Sequence, residues 1–183
     1  MPISARTESG TAVPAAVARP LAALVRAALA LEGRRAGEVA IVLADDPALR
    51  DLNRRWRGID RATDVLSFSY DEGPAAARTA PWSRPGGPAP GSARARPPVH
   101  GDLVISLGRM REQARRFGVA EGEELARLVV HGTLHLAGLD HQRPAERRAM
   151  RVREDEALAR GVAAVRALRR SLAGPVRGRG NRT

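Results

Sequence analysis

Residues 121–141 read EGEELARLVVHGTLHLAGLDH. Apolar side chains recur here every three or four positions, which is the spacing of a helix with one buried face. At about 100° per residue, one stripe of the helix gathers Leu125, Leu128, Val129, Gly132 and Leu136. Gly138 follows the last apolar position, and a glycine there lets the chain turn back through a left-handed conformation. The stretch therefore predicts a buried helix over 121–137 that ends in a sharp turn.

Three of the four histidines of the chain lie in this stretch, at 131, 135 and 141. His131 and His135 are one helical turn apart on a face beside the buried stripe, so both imidazoles can reach one metal ion. The turn at Gly138 brings His141 round as a third nitrogen ligand. Three protein ligands leave the fourth position of tetrahedral Zn²⁺ open for water, as in catalytic zinc sites. We therefore expect one Zn²⁺ per chain on His131, His135 and His141.

The zinc-protease pattern H-E-x-x-H-x-x-G-x-x-H has the same offsets, but Gly132 stands where that pattern has its Glu. That Glu takes a proton from the metal-bound water, and peptide hydrolysis also needs a proton for the amine leaving group. Its absence argues against a peptidase. Asp140 is either a substitute base or a residue that orients a ligand histidine, and the second role is favoured.

The composition fits one soluble domain with an unusually basic charge. The chain has 183 residues and no Cys, so a metal must be held by His, Asp or Glu. Neither a signal pattern nor a run of 18 or more apolar residues occurs, and we expect a cytoplasmic protein without a membrane partner. The net charge of +11 suits a nucleic-acid partner, or else a solvated surface with basic tails. An aromatic content of 3% argues against a base-stacking platform.

The predicted helices surround a few short predicted strands, so the predicted class is α+β, a small β-sheet with surrounding helices. Helices are expected from about Pro14 to Gly33, with Pro20 in the first turn, and within 45–58, DDPALRDLNRRWRG, with Asp46 as N-cap, Pro47 in the first turn, and Leu49, Leu52 and Trp56 on one face. Further predicted elements are strands over 38–46, 63–70 and about 103–106, a helix ending at Gly118, and one long helix over 143–172.

The predicted organisation is a single domain over 14–168. Residues 1–13 are small and polar and are expected to be disordered. Residues 71–99 hold seven of the 13 prolines and are expected to form a flexible insertion. Residues 169–183 are expected to form a basic C-terminal tail.

Several segments resemble the bacterial YbeY family of rRNA maturation factors and single-strand-specific endoribonucleases. HGTLHLAGLDH resembles the family signature H-G-x-L-H-L-x-G-[Y]-D-H, and residues 52–70, LNRRWRGIDRATDVLSFSY, resemble its upstream block L-N-x-x-[Y]-R-x-x-D-x-x-T-D-V-L-S-F. HGDLVIS contains the family's G-D-[IL]-x-I-S, and Met150 and Glu154 match its M-x-x-x-E spacing. The departures are Trp56 and Leu139, where tyrosines are usual, and the long insertion.

The resemblance implies a compact α+β domain with a small mixed sheet and a metal helix distantly like that of zinc proteases. It implies zinc on the three histidines and an activity in which Arg57 is important. The substrate would be single-stranded rRNA, notably the 3′ end of small-subunit rRNA, with a role in ribosome quality control. The partners would be the small ribosomal subunit and its assembly factors.

The chemistry of phosphates agrees with that implication. An arginine fork suits the non-bridging oxygens of a phosphodiester, so Arg57 is a candidate clamp, although it also fits a solvated arginine at a helix end. Two other functions stay open, a non-enzymatic zinc-containing ribosome-assembly factor and a metallopeptidase-like hydrolase. His100 is expected to be exposed and not to be a ligand. The remaining polar residues of the matched blocks are expected to hold the scaffold: Asn53, Thr63, Asp64 and Asp102.

Overall fold

The computed structural model describes residues 3–70, 97–140 and 143–173. They form four strands and six helices, and this arrangement confirms the α+β class with a small mixed sheet. The elements in chain order are β1 (Ile3–Thr7), α1 (Ala15–Leu31), β2 (Ala36–Ala44), α2 (Asp46–Arg57), β3 (Val65–Ser69), β4 (Val99–Ser106), α3 (Leu107–Phe117), α4 (Glu121–Leu136), α5 (Pro144–Arg160) and α6 (Val162–Leu172).

The sheet has the order β1-β2-β4-β3. Strand β2 runs parallel to both β1 and β4, whereas β3 is antiparallel to β4 and forms an edge of the sheet. In the register of the last pair, Phe68 lies opposite Asp102 and Val65 opposite Ile105. The edge position of β3 matters for the site, because α4 packs directly against this strand.

The two faces of the sheet carry different helices. Alternate strand residues such as Ile41, Leu103 and Ile105 join the large core built with α1 and α4. Their neighbours Val42, Val104 and Leu66 join a smaller cluster with Leu49 of α2. Helices α4 and α2 therefore lie on opposite faces of one sheet.

The N-terminal segment is ordered from Ile3 onward, so the expectation of disorder over 1–13 is wrong for the part that the structure describes. Strand β1 pairs with β2 in the register Ile3↔Val39, and Ile3 is buried. Alternating apolar and polar residues in ISART place one side of the strand against the core.

The sequence predicted Pro20 in the first turn of helix α1. Because the helix already begins at Ala15, Pro20 lies in its second turn instead. A proline nitrogen cannot donate to the carbonyl four residues back, which is that of Ala16. Ser171 of α6 donates its hydroxyl to the Ala16 oxygen at 3.2 Å. The proline is thus accommodated by a hydrogen bond from a neighbouring helix.

The predicted helix over 143–172 is two helices, α5 and α6, separated by Gly161. A Cβ atom at Gly161 would lie 2.6 Å from Leu24 Cδ2, so the glycine allows α1 to approach the break closely. The predicted tail from 169 also begins too early, since α6 continues to Leu172. Residues 174–183 lie outside the described part of the chain.

Three smaller differences concern β4, α2 and the insertion. Strand β4 begins at Val99, four residues before the predicted start. The N-cap of α2 is Asp45, which accepts from Ala48 N at 2.9 Å, whereas Asp46 accepts a hydrogen bond from the Ser106 hydroxyl. Of the insertion predicted over 71–99, residues 71–96 lie outside the described part of the chain. None of the described helices has the length and apolar content needed to cross a bilayer.

Candidate active site

Helix α4 carries the first two predicted ligands and has the predicted form. Acidic residues occupy its first turn, which suits the positive end of the helix dipole. The helix ends one residue before the predicted end, and Gly138 follows with φ 95°, so the left-handed turn is confirmed. The predicted buried stripe is confirmed as well, at Leu125, Leu128, Val129, Gly132 and Leu136.

His131 and His135 bring their side chains together at one point beside α4. Their Nε2 atoms are 3.2 Å apart, and the two rings meet at an angle of 74°. Two nitrogens bound to one tetrahedral zinc at about 2.0–2.1 Å would be separated by roughly 3.3 Å. The separation also fits an N–H···N hydrogen bond, in which one Nε2 donates to the other. The separation therefore fits either two ligands of one ion or a direct hydrogen bond between the two rings.

Glu154 of α5 holds His131 from behind. Its Oε1 atom is 2.5 Å from Nδ1 of His131, and both side chains are largely buried, at 12% and 20% exposure. A carboxylate at Nδ1 favours the tautomer with its proton on that nitrogen, which leaves the Nε2 lone pair available to a ligand. Sequence reasoning missed this contact. The two residues are 23 apart on different helices, and the only signal was the M-x-x-x-E spacing.

Gly132 faces the sheet and not the paired histidines. A Cβ atom there would lie 2.9 Å from Leu103 Cδ2 and 3.0 Å from Ser67 Oγ. The Ser67 hydroxyl donates to the Gly132 carbonyl at 3.1 Å, which ties β3 to α4. A glutamate at this position would start toward β3 and β4. A side chain at position 132 would therefore displace the tips of neighbouring side chains, and the glycine also lacks the proton acceptor of the protease pattern.

The third predicted ligand, His141, lies outside the described residues, so its place in the set stays a prediction. Within residues 3–70, 97–140 and 143–173, no group of three or more His, Cys, Asp or Glu is arranged to hold a metal ion. Asp140 is half-buried two residues beyond the turn glycine. Its role as an orienting partner also stays a prediction.

Arg57 is the last residue of α2 and is exposed. Two earlier arginines of the same turn, Arg54 and Arg55, both pair with Asp51, at 2.9 and 2.7 Å. The Arg57 guanidinium makes no ion pair or hydrogen bond with any residue that the structure describes. Helix α2 and α4 lie on opposite sides of the sheet, with the edge strand β3 between them. Arg57 and the two histidines therefore belong to helices on opposite faces of the sheet, and no contact joins them within the described residues.

The polar residues expected to hold the scaffold make hydrogen bonds of that kind. Asn53 is buried and donates to the Arg61 carbonyl at 2.8 Å, and Thr63 donates to Asp64 at 3.2 Å. Asp102 accepts from the Tyr70 hydroxyl at 2.5 Å. Burial raises the pKa of Asp64, but hydrogen bonds from Gln113 and from the Val65 backbone, both at 2.9 Å, lower that pKa below its usual value.

His100 is half-buried rather than exposed. Its Nδ1 accepts a hydrogen bond from Glu38 N at 3.0 Å, and its ring occupies the space above Gly37 on the neighbouring strand. A Cβ atom on Gly37 would lie only 2.3 Å from that ring. The side chain lies on the face of the sheet opposite α4, which separates it from His131 and His135.

The fold and the site together define a small α+β protein with two imidazoles converged on a buried helix, one of them held by a carboxylate. The family model described as Endoribonuclease YbeY matches residues 5–161. The chain belongs to this family. The description places it among the RNA-cleaving hydrolases.

Individual relatives agree with the family match. Endoribonuclease YbeY of Anaeromyxobacter sp. (strain Fw109-5) is 44% identical over 160 residues, which cover 87% of this chain and 72% of that relative. The same-named protein of Anaeromyxobacter dehalogenans is 42% identical over 142 residues, 78% of this chain and 63% of the relative. The same-named protein of Limosilactobacillus fermentum is 39% identical over 137 residues, which cover 74% of this chain and 81% of that relative. A solution structure from Thermotoga maritima has 21% identity and a TM-score of 0.48, and the match covers 88% of this chain and 92% of that one.

Proposed function

We propose that this chain is a zinc-dependent, single-strand-specific endoribonuclease that acts in rRNA maturation, notably at the 3′ end of small-subunit rRNA, and in ribosome quality control. The observation that carries the proposal is the convergence of His131 and His135, with Nε2 atoms 3.2 Å apart and Glu154 behind His131. Family membership adds the substrate class, because the matching relatives are named endoribonucleases.

The donor set fits zinc. Imidazole nitrogens suit this ion, and the two described nitrogens have the separation of tetrahedral neighbours. His131, His135 and His141 would hold one Zn²⁺. When bound, zinc lowers the pKa of a coordinated water to about 7 and polarises a phosphoryl oxygen.

The protein's own residues would prepare the site before substrate arrives. Glu154 keeps the proton of His131 on Nδ1 and fixes the direction of its Nε2 lone pair. Arg57 would bind the non-bridging oxygens of the scissile phosphate, since its guanidinium is exposed and makes no contact with the described residues. Phosphoryl transfer depends mostly on positioning and on stabilisation of charge. Glu154 would supply positioning of a ligand, and Arg57 would stabilise charge on the phosphate.

RNA as the substrate is supported by the charge of the chain as well as by the family. A net charge of +11 attracts phosphates and releases their counterions on binding. The small ribosomal subunit and its assembly factors, met in the cytoplasm, are the partners that follow from a role on rRNA.

The two other functions are less well supported. A zinc-containing assembly factor without activity would also bind rRNA, so Arg57 does not separate it from the enzyme; the enzyme is favoured because the matching relatives are named endoribonucleases. A metallopeptidase would need a proton acceptor near the metal, whereas position 132 faces Leu103 and Ser67. The second feature argues against peptide hydrolysis.

The test compares the wild type with His135→Ala and Arg57→Ala on a labelled single-stranded RNA. His135→Ala should abolish cleavage, and Arg57→Ala should reduce it by about a hundredfold, the usual loss for one transition-state donor. Arg116→Ala removes an exposed arginine of α3 and should cleave normally. Preparing every variant by the same route controls for contaminating nuclease.

Two results would contradict the proposal in different ways. If zinc-loaded wild type of high purity cuts no RNA, the assembly-factor function is correct. If Arg57→Ala keeps full activity with its fold and metal intact, the role given to Arg57 is wrong.

A further inference from the structure

Three of the five aromatic residues of the chain lie together on the α2 side of the sheet, Trp56, Phe68 and Tyr70. The Trp56 and Phe68 rings are in edge contact, with centroids 5.7 Å apart and planes at 65°. Phe68 pairs with Asp102 across the strands, and the Tyr70 hydroxyl donates to that same carboxylate. The three side chains therefore form one surface, called the aromatic surface below.

The aromatic surface is open to solvent. Trp56 is 58% exposed and Tyr70 is 57% exposed, although Trp56 lies one and two turns along α2 from the buried residues Asn53 and Leu49. The sequence predicted Trp56 on one helix face with Leu49 and Leu52; Leu49 is buried, whereas Trp56 is exposed and makes an edge contact with Phe68. Exposed clusters of large aromatic side chains mark binding surfaces.

Tyr70 is fixed in place beside Phe68. Partial burial and the hydrogen bond to Asp102 raise the pKa of Tyr70 to about 12, further above physiological pH than its ordinary value, at which the phenol is already neutral. A neutral, anchored ring adds area to the surface without adding a negative charge that would repel a phosphate.

A cation stands next to these rings. Arg57 follows Trp56 directly, and its guanidinium is not committed to any described residue, whereas Arg54 and Arg55 share Asp51. An aromatic ring for a base and an adjacent arginine for its phosphate are the two elements that bind single-stranded nucleic acid.

The residue before Phe68 in β3 also contacts the helix that carries the histidines. In β3, Ser67 contacts α4 at Gly132, and the next residue, Phe68, belongs to the aromatic surface. Because β3 is an edge strand and α4 packs on it, the aromatic surface and the helix that carries His131 and His135 lie on opposite faces of the same edge strand.

We infer that the aromatic surface binds one unstacked base of a single-stranded RNA, with Trp56 as the stacking platform and Arg57 as the contact to the adjoining phosphate. The inference rests on the proposed function and gives it a source of strand selectivity. Bases in a duplex are already stacked on their neighbours and cannot lie on Trp56. The low aromatic content of the chain had argued against such a platform, but the fold concentrates the few rings that it has.

Fluorescence of Trp56 tests the inference directly. In a Trp82→Phe background Trp56 is the only tryptophan, and the full-length protein is titrated with a single-stranded, end-labelled 2′-O-methyl oligouridylate. Binding should quench the tryptophan emission. Measured by the anisotropy of the labelled oligonucleotide, Trp56→Ala should weaken binding on the order of tenfold, the usual effect of losing one stacked base, and Trp56→Phe should restore most of it. Affinity for a duplex of the same length should not change.

Phe117→Ala is the matched control, since Phe117 is an exposed aromatic on α3 with Arg116 over its ring. It should bind the oligonucleotide like the wild type. Equal single-strand affinity of Trp56→Ala and its parent would overturn the inference. So would a Trp56→Ala protein that binds RNA normally but sediments as a smaller species, because the surface would then join two copies of the chain.

Cleavage assays on the same preparations separate this inference from the proposed function. If the wild type cuts RNA and Trp56→Ala binds it normally, the base site is wrong and the endoribonuclease function stands. If the oligonucleotide quenches Trp56 but the wild type cuts no RNA, the base site stands and the proposed activity fails.

Discussion

The imidazole of His131 is held between two side chains, Glu154 on one nitrogen and His135 facing the other. A carboxylate behind a ligand histidine fixes the ring and increases its basicity toward a metal. The two histidines could be predicted from their i, i+4 offset, because that spacing has a direct geometric meaning on a helix. Glu154 could not, since its approach to His131 depends on how α5 packs against α4.

Glu154→Gln tests this contact, because it exchanges one carboxylate oxygen for an amide nitrogen. The amide keeps the shape but loses the charge, and the metal affinity should fall by about 10- to 100-fold. Competition with a chromogenic chelator measures that affinity. Glu156→Gln is the matched control, because Glu156 lies on the same helix and pairs with Arg153 at 3.0 Å. Unchanged affinity in Glu154→Gln would show that the contact has no role in metal binding.

Helix α4 is the element on which the site depends, and glycines let its neighbours approach it. A Cβ atom at Gly122 would lie 2.4 Å from the Leu168 carbonyl carbon of α6, and one at Gly132 would meet the side-chain tips of Leu103 and Ser67. The helix itself could be predicted from its apolar period. The close approach of α6 could not, because nothing local to Gly122 indicates which helix packs there.

Gly122→Ala should lower the free energy of unfolding by about 1–3 kcal/mol, even though alanine favours a helix over glycine by about 1 kcal/mol. Backbone atoms of α6 cannot rotate away from the added methyl. Gly132→Ala is the comparison, and its loss should be smaller because side-chain tips can move. Urea unfolding followed by circular dichroism measures both. A Gly122→Ala protein as stable as the wild type would contradict the packing of α6 on α4.

A polar network joins the start of β3 to α3 and α4. Gln113 donates to Asp64 and accepts from Arg127 at 2.8 Å, and Arg127 pairs with Glu124 at 2.6 Å. Through the side-chain amide of Gln113, Asp64 therefore connects the start of β3 to α3 and α4. Gln113 lies 49 residues further along the chain, so sequence alone suggested only a local structural role for Asp64.

The lowered pKa of Asp64 predicts a pH dependence of stability. A group whose folded pKa is lowered stabilises the fold above its unfolded value, near 3.8, and that contribution is lost as the pH falls through the folded value. The wild type should therefore lose stability below about pH 4 more steeply than Asp64→Asn, which is less stable at neutral pH. Urea unfolding between pH 7 and pH 2.5 measures the difference. Parallel pH profiles would show that the Asp64 carboxylate does not stabilise the fold.

The molecule as a whole carries α4 on one face of its sheet and α2 on the other. The order β1-β2-β4-β3 leaves β3 at an edge of the sheet. The class of the fold could be predicted because helical patterns surround a few short strand patterns. The strand order could not, because it depends on pairings between distant segments, and β1 was missed because five alternating residues carry too weak a pattern.

The charge of the whole chain predicts how RNA binding responds to salt. Affinity for single strands should fall as salt rises, with a log–log slope of about −0.7 for each phosphate neutralised. Arg57→Gln should make that slope less negative by about 0.7, the share of one contact. Arg111→Gln removes a cation that pairs with Glu121 across α3 and α4, and it should leave the slope unchanged. The same slope for Arg57→Gln and the wild type would remove Arg57 from the RNA interface.

The metal content of purified protein tests the central claim most directly. The chain as isolated, or after reconstitution with zinc, should contain one zinc ion by mass spectrometry under non-denaturing conditions. His131→Ala and His135→Ala, checked for native fold by circular dichroism, should each lose that ion and the ability to cleave RNA. Wild-type protein that takes up no zinc on reconstitution, or variants that keep it in full, would contradict a metal site on these histidines.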